Sequence, residues 1–129
     1  MKVFVYFNLH KRLFSVKSLE GASKGKVIGH SHSIVLGHTQ FKISEAGRQR
    51  VIRERKKNVH AGVIGTLIDV GTIGEMFKGD IITYNPYKNS TFVKKFTNNP
   101  VYKGKLTALE VFDKIPRIVN MEYEDENGT

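Results

Sequence analysis

Residues 44–70 read SEAGRQRVIRERKKNVHAGVIGTLIDV, and within this stretch the pattern passes from helical to extended. Ser44 has the side chain of an N-cap, and Glu45 follows it in the first turn, where a carboxylate suits the positive end of the helix dipole. The basic residues from Arg53 to Lys57 suit the negative end. A helix over 44–57, ended by Asn58, is therefore expected. Val59 to Val70 is an apolar run broken by Gly62 and Gly65, the composition of a buried strand whose glycines admit a close neighbour or a ligand. A helix feeding a strand that needs sheet partners gives an α+β fold.

Upstream, residues 2–9 are rich in β-branched and aromatic types and residues 13–19 alternate apolar with polar, so a hairpin turning near His10-Lys11-Arg12 is expected. Gly21 to Gly25 breaks the pattern. Lys26 to Leu36 reads as a further strand, and after a Gly37-His38 turn Phe41 and Ile43 read as a shorter one. Downstream, Gly79-Asp80 reads as a turn, 81–84 as a strand, 85–89 as a loop and 90–96 as the returning strand. Ala108, Val111, Phe112 and Ile115 fall at helical spacing, which predicts a short helix over about 106–114 stopped by Pro116. The expected architecture is a mainly antiparallel sheet of six or seven strands, helix 44–57 on one face and the short C-terminal helix. Residues 1–123 form one domain in this reading, with 124–129 an acidic disordered tail.

The chain carries 21 Lys and Arg against 12 Asp and Glu, a net charge of +9. Four of the acids lie in the last eight residues, so residues 1–120 hold 21 basic and 8 acidic side chains, a balance of +13. Such a field favours a polyanion. There is no cysteine, which excludes disulfides and thiolate chemistry and fits a reducing cytosol. No apolar run approaches the roughly 18 residues of a membrane span, and the start MKVFVYF is too short and aromatic for a signal peptide. A soluble intracellular protein with no membrane partner is expected.

Six basic residues fall between Arg48 and Lys57. At about 100° per residue, Arg50, Arg53 and Lys57 form a stripe whose charged ends span roughly 10 Å, the footprint of one to three phosphates. Arg48 and Arg55 lie near the face of Val51 and Ile52, where they either snorkel to the rim or line a polar pocket. Arg48, Arg50, Arg53, Lys57 and Lys11 are accordingly the candidate phosphate binders. His60 follows the cluster directly. Metal-free phosphodiester cleavage uses one imidazole as base and another as acid, and His10, in the basic turn, is the candidate partner of His60. Tyr84, Asn85 and Tyr87, with Asn58, are candidates for stacking and reading a base. His30, His32 and His38 invite a metal reading, since positions 30 and 32 of a strand face the same way, but Asp69 and Glu75 have no motif spacing that recruits them, so neither a metal nor a cofactor is expected. Walker loop, dinucleotide fingerprint, paired His-x-Thr/Ser motifs and the carboxylate cluster of two-metal nucleases are all missing from the sequence.

The stretches KVFVYFNLHK (2–11), SEAGRQRV (44–51), KNVHAGV (57–63) and TYNPYK (83–88) resemble a family of small uncharacterised bacteriophage and prophage proteins, over most of residues 2–93. The resemblance implies a viral origin and action in the cytoplasm of a bacterial host; it carries over no catalytic residue. The resulting expectation is a phage accessory or counter-defence protein that binds a nucleotide or short oligonucleotide, a cyclic nucleotide immune signal among them, for sequestration or metal-independent hydrolysis. The alternatives are a non-enzymatic DNA- or RNA-binding protein and an inhibitor docking on an acidic host defence protein. A homo-oligomer is compatible with so short a chain.

Overall fold

Strand alternation in the first residues sets the core. Val3 and Val5 are fully buried, while Phe4 and Tyr6, which alternate with them, are half-buried on the opposite face. In the computed structural model, which describes residues 1–70 and 77–121, this segment is β1 (Lys2–Asn8), and it pairs antiparallel with β2 (Leu13–Ser18). A short 3-10 turn (Gly21–Ser23) leads to β3 (Val27–Ser31) and β4 (Ser33–Ile43). Then come α1 (Glu45–Glu54), β5 (Ala61–Val70), β6 (Asp80–Thr83), β7 (Val93–Lys94), β8 (Lys103–Phe112) and β9 (Ile115–Met121). All nine strands belong to one antiparallel sheet in the order β3-β2-β1-β5-β4-β8-β9-β6-β7.

β3 and β4 are the two arms of one bent strand, interrupted only at His32. The first arm pairs with β2 and the second with β5 and β8, while β1 lies between β2 and β5. The sheet therefore curls, bringing β2 against β8. Its concave side holds one cluster in which Val3, Val5, Phe14, Ile34, Leu36 and Val63 are each at most 2% exposed. Sealing such side chains from water contributes about 1.5–3 kcal/mol apiece and is the main drive for the curl. On the other face Val35, Ala108 and Val119 stand in register and are also buried. Beside them Glu110, 3% exposed, meets Arg117 at 2.7 Å. Burial raises the Glu110 carboxyl above its ordinary range, with Arg117 opposing the shift.

Several expectations are corrected. The sheet has nine strands, not six or seven, and residues 106–114 are not helical: they lie in β8 and its turn to β9. β8 is flanked by β4 and β9 and buried on both faces, so its apolar residues do not alternate and mimic a helical spacing. Pro116 does not stop a helix. It opens β9 opposite Val111, at a point that β6 does not reach, so its missing N–H breaks no second ladder. Gly37-His38 is an irregularity inside β4, with His38 at φ 49°, and not a turn between strands. The returning strand shrinks to Val93–Lys94, and α1 stops at Glu54 because Arg55 takes the left-handed conformation (φ 56°) and its N–H closes on the Val51 carbonyl. The acidic tail lies outside the described residues.

The glycines of β5 have a steric reason. A Cβ on Gly62 would lie 2.5 Å from the Phe4 ring and 2.6 Å from the Val5 carbonyl oxygen. We expect Gly62→Ala to lower the free energy of unfolding by about 2–3 kcal/mol through overpacking. Gly29→Ala on the edge strand, where nothing lies within 4 Å, should change it by less than about 0.5 kcal/mol. Denaturant titration of both variants checks the difference.

Candidate functional site

The helix is held by small contacts that leave little choice of residue. Ser44 Oγ accepts the Gly47 N–H at 3.2 Å, as its N-cap role requires. Gly47 faces His60 so closely that a Cβ there would come within 2.6 Å of the His60 Cβ. One turn on, Val51 is buried and fixes the inner face. Arg48, between them, has only 16% of its side chain exposed. Its Nε–H is shared between the carbonyl oxygens of Pro86 (3.0 Å) and Asn89 (2.9 Å), and Nη1 donates to both oxygens of Glu45. The loop that Arg48 grips is itself ordered: the Asn85 side-chain oxygen accepts the Tyr87 N–H, and the Asn85 carbonyl accepts from Lys88 and Asn89. Of the snorkelling and pocket-lining alternatives, Arg48 takes the second, with the loop carbonyls as its ligands.

His60 and Tyr84 meet beside this anchor. The imidazole Nε2 lies 2.7 Å from the Tyr84 hydroxyl, and Nδ1 lies 2.9 Å from the Asn58 carbonyl. A carbonyl only accepts, so Nδ1 carries the hydrogen and, in the neutral ring, Nε2 accepts from the phenol. Burial pushes the Tyr84 hydroxyl up to about 12, with Arg48 opposing and Glu45 reinforcing the shift, which keeps the donor protonated. The Tyr84 ring packs on Phe92 and Phe92 on Phe41, so the pair is continuous with the core. Both imidazole nitrogens are thus engaged, and the arrangement braces the start of β5. Glu45 is held below the usual carboxylate range, first by its hydrogen bond from Gln49 and then by Arg48, with burial opposing.

The other candidates lie apart from this network. Arg50 is 63% exposed and pairs with Glu54 at 3.3 Å. Arg53, Arg55, Lys56 and Lys57 are exposed and make no ion pair among the described residues. A shallow concavity of about 220 Å³ is lined by Arg50, Val51, Glu54, Lys56, Lys57 and Asn58. Tyr87 keeps an exposed ring, whereas the Tyr84 ring is half-buried. His10 and Lys11 sit in the β1–β2 turn, where their N–H groups bond to the Asn8 side-chain oxygen. They line a different concavity, together with Arg12, His32 and Lys114, which the sequence reading did not select as site residues. A signal for Lys114 existed: Asp113-Lys114 between two apolar runs is the length of a hairpin turn. No hydrogen bond joins His10 to His60 among the described residues, and His60 does not line the concavity that His10 lines. His30 bonds to the buried Ser15 hydroxyl at 2.8 Å, and His32 occupies the bend and not a strand face shared with His30.

The Tyr84 environment is testable by titration. The folded-state value lies above the ordinary 10, so the contribution to stability is fully present below pH 10 and is lost as pH rises through about 12. Phenolate absorbance should show one tyrosine ionising near pH 12, and Tyr84→Phe should remove that step.

No helix among the described residues is long and apolar enough to cross a membrane. The family model described as Mycobacterium phage L5 gene 82 protein matches residues 1–114. The gene 82 protein of Mycobacterium phage L5 is 45% identical over 106 residues, which cover 78% of this chain and 82% of that relative. Its name carries a gene number and no activity. No solved structure matches the chain. The matched region takes in the whole of α1, the His60–Tyr84 pair and the loop that Arg48 grips, and the chain belongs to the family of the Mycobacterium phage L5 gene 82 protein.

Proposed function

We propose that this phage protein is a non-enzymatic nucleic-acid binder whose contact surface is the outward face of α1 and the segment after it. The supporting observation is the division of labour within the basic cluster. Arg48 is engaged by backbone carbonyls, while Arg53, Arg55, Lys56 and Lys57 stand exposed without a carboxylate partner among the described residues. Unneutralised cations in a row match successive phosphates, and such contacts gain affinity by releasing the counterions condensed on the strand. The left-handed Arg55 ends the helix, so Lys56 and Lys57 lie beyond α1 and off the helical stripe of Arg50 and Arg53.

Binding without cleavage is favoured over hydrolysis by the state of His60. Its two nitrogens are satisfied by Asn58 and Tyr84, and using Nε2 as a base would first require breaking the bond to a phenol that stays protonated. Tyr87, exposed on the loop beside the helix, supplies a ring on which a base of a single strand can stack.

Fluorescence anisotropy with a labelled oligonucleotide at increasing salt tests the reading. About four phosphate contacts give a slope of log K against log salt near −3 to −4. The double variant Lys56→Ala, Lys57→Ala should reduce the slope by about 2, His60→Ala should leave it unchanged, and the strand should be recovered intact. A salt-independent affinity, or strand cleavage abolished by His60→Ala, would contradict it.

A further inference from the structure

A concavity of about 420 Å³ is remote in sequence from α1 and has a composition of its own. It is lined by His10, Lys11, Arg12 and Leu13 from the β1–β2 turn, His32 from the bend between β3 and β4, and Val111, Asp113 and Lys114 from the end of β8 and its turn. Three cations face one carboxylate there, and none of Lys11, Arg12 and Lys114 makes an ion pair among the described residues. Two imidazoles stand in the same wall. The curl of the sheet creates the site: the His32 carbonyl accepts the Val111 N–H at 2.9 Å, which fixes the bend against β8 and brings the two turns together.

The backbone gives an independent reason to read these residues as a ligand site. Arg12 (φ 55°), Asp113 (φ 48°) and Lys114 (φ 66°) are all left-handed, a conformation in which a side chain other than Gly, Asn or Asp is disfavoured. Phe112 pairs with Ile115, so Asp113-Lys114 is a two-residue hairpin turn with positive φ at both positions, where Asn-Gly or Asp-Gly is the usual choice. Lys114 stands where glycine fits best. Arg12 repeats the exception in the facing turn, its N–H closing on the Asn8 carbonyl at 2.8 Å. Two separate turns thus each hold a cation in a conformation that glycine adopts more readily, and both cations line the same hollow. Strain of this kind collects at ligand sites.

We propose that this concavity binds a small phosphate ester of mononucleotide size. The volume lies in the range of small-molecule sites. Lys11, Arg12 and Lys114 hold the phosphate, Leu13 and Val111 give the organic part an apolar floor, and His10 and His32 supply polar groups at the rim. The site does not rest on the nucleic-acid reading of α1, and either can fail alone.

The test is titration of the intact protein with AMP, inorganic phosphate and adenosine, followed by amide NMR and calorimetry at low salt. AMP should shift the amides of residues 11–13, 32 and 113–114 and bind more tightly than phosphate, with adenosine weaker still. The double variant Arg12→Gly, Lys114→Gly should weaken AMP roughly tenfold or more. Because glycine suits both positions, the variant should melt no lower than the parent, which separates loss of the ligand from loss of the fold. Lys56→Ala, Lys57→Ala should leave AMP affinity within about twofold. Absence of AMP-induced shifts at these turns, equal binding of AMP and phosphate, or undiminished binding by the glycine variant would overturn the proposal.

Discussion

The grip of Arg48 on the carbonyls of Pro86 and Asn89 is the contact on which the basic face depends. It ties α1 to a loop nearly forty residues further along the chain, and Glu45 balances its charge from the same side of the helix. With 84% of this side chain withdrawn from water, a replacement that cannot donate would lose both charge-assisted hydrogen bonds to the loop. The orientation of the helix follows. Gly47 and Val51 face inward beside Arg48, and the positions a half-turn away, Arg50 and Arg53, are turned to solvent.

The curl of the sheet is the second constraint, and it is topological. A single strand bent at His32 contributes one arm to each flank of the β2-β1-β5 set, which curls the sheet around the core. The bend also explains why turns far apart in sequence, at 9–12 and 113–114, face a common hollow. Packing, not local propensity, determines that proximity.

Legibility of the sequence divides along the same line. The first hairpin, the Ser44 N-cap and β5 are readable because each is encoded by neighbouring residues: β-branched and aromatic content in 2–9, alternation in 13–19, a capping side chain, an apolar run with two glycines. β8 is not, because a strand buried on both faces loses its alternation and Pro116 imitates a helix stop. At the site, residues of the 44–60 segment and of the 84–87 stretch are candidates from the sequence, but the contacts that join them are not legible there. Arg48 and Tyr84, read as ligand contacts, have partners within the protein, since nothing in local sequence reveals that a carbonyl pair or an imidazole lies opposite. Arg12, His32 and Lys114 are not legible as one site because only the curl assembles them.

Under the proposed function, neighbouring arginines of one helix have different tasks: Arg48 holds the fold and Arg53 meets the ligand. Arg48→Met and Arg53→Met, each measured for unfolding free energy and for the salt slope of oligonucleotide binding, separate these tasks most directly. Arg48→Met should lose about 2 kcal/mol of stability with the slope unchanged, and Arg53→Met should keep its stability while the slope falls by about 1. An Arg48→Met protein as stable as the parent but unable to bind, or an Arg53→Met protein that binds with an unaltered slope, would contradict the account.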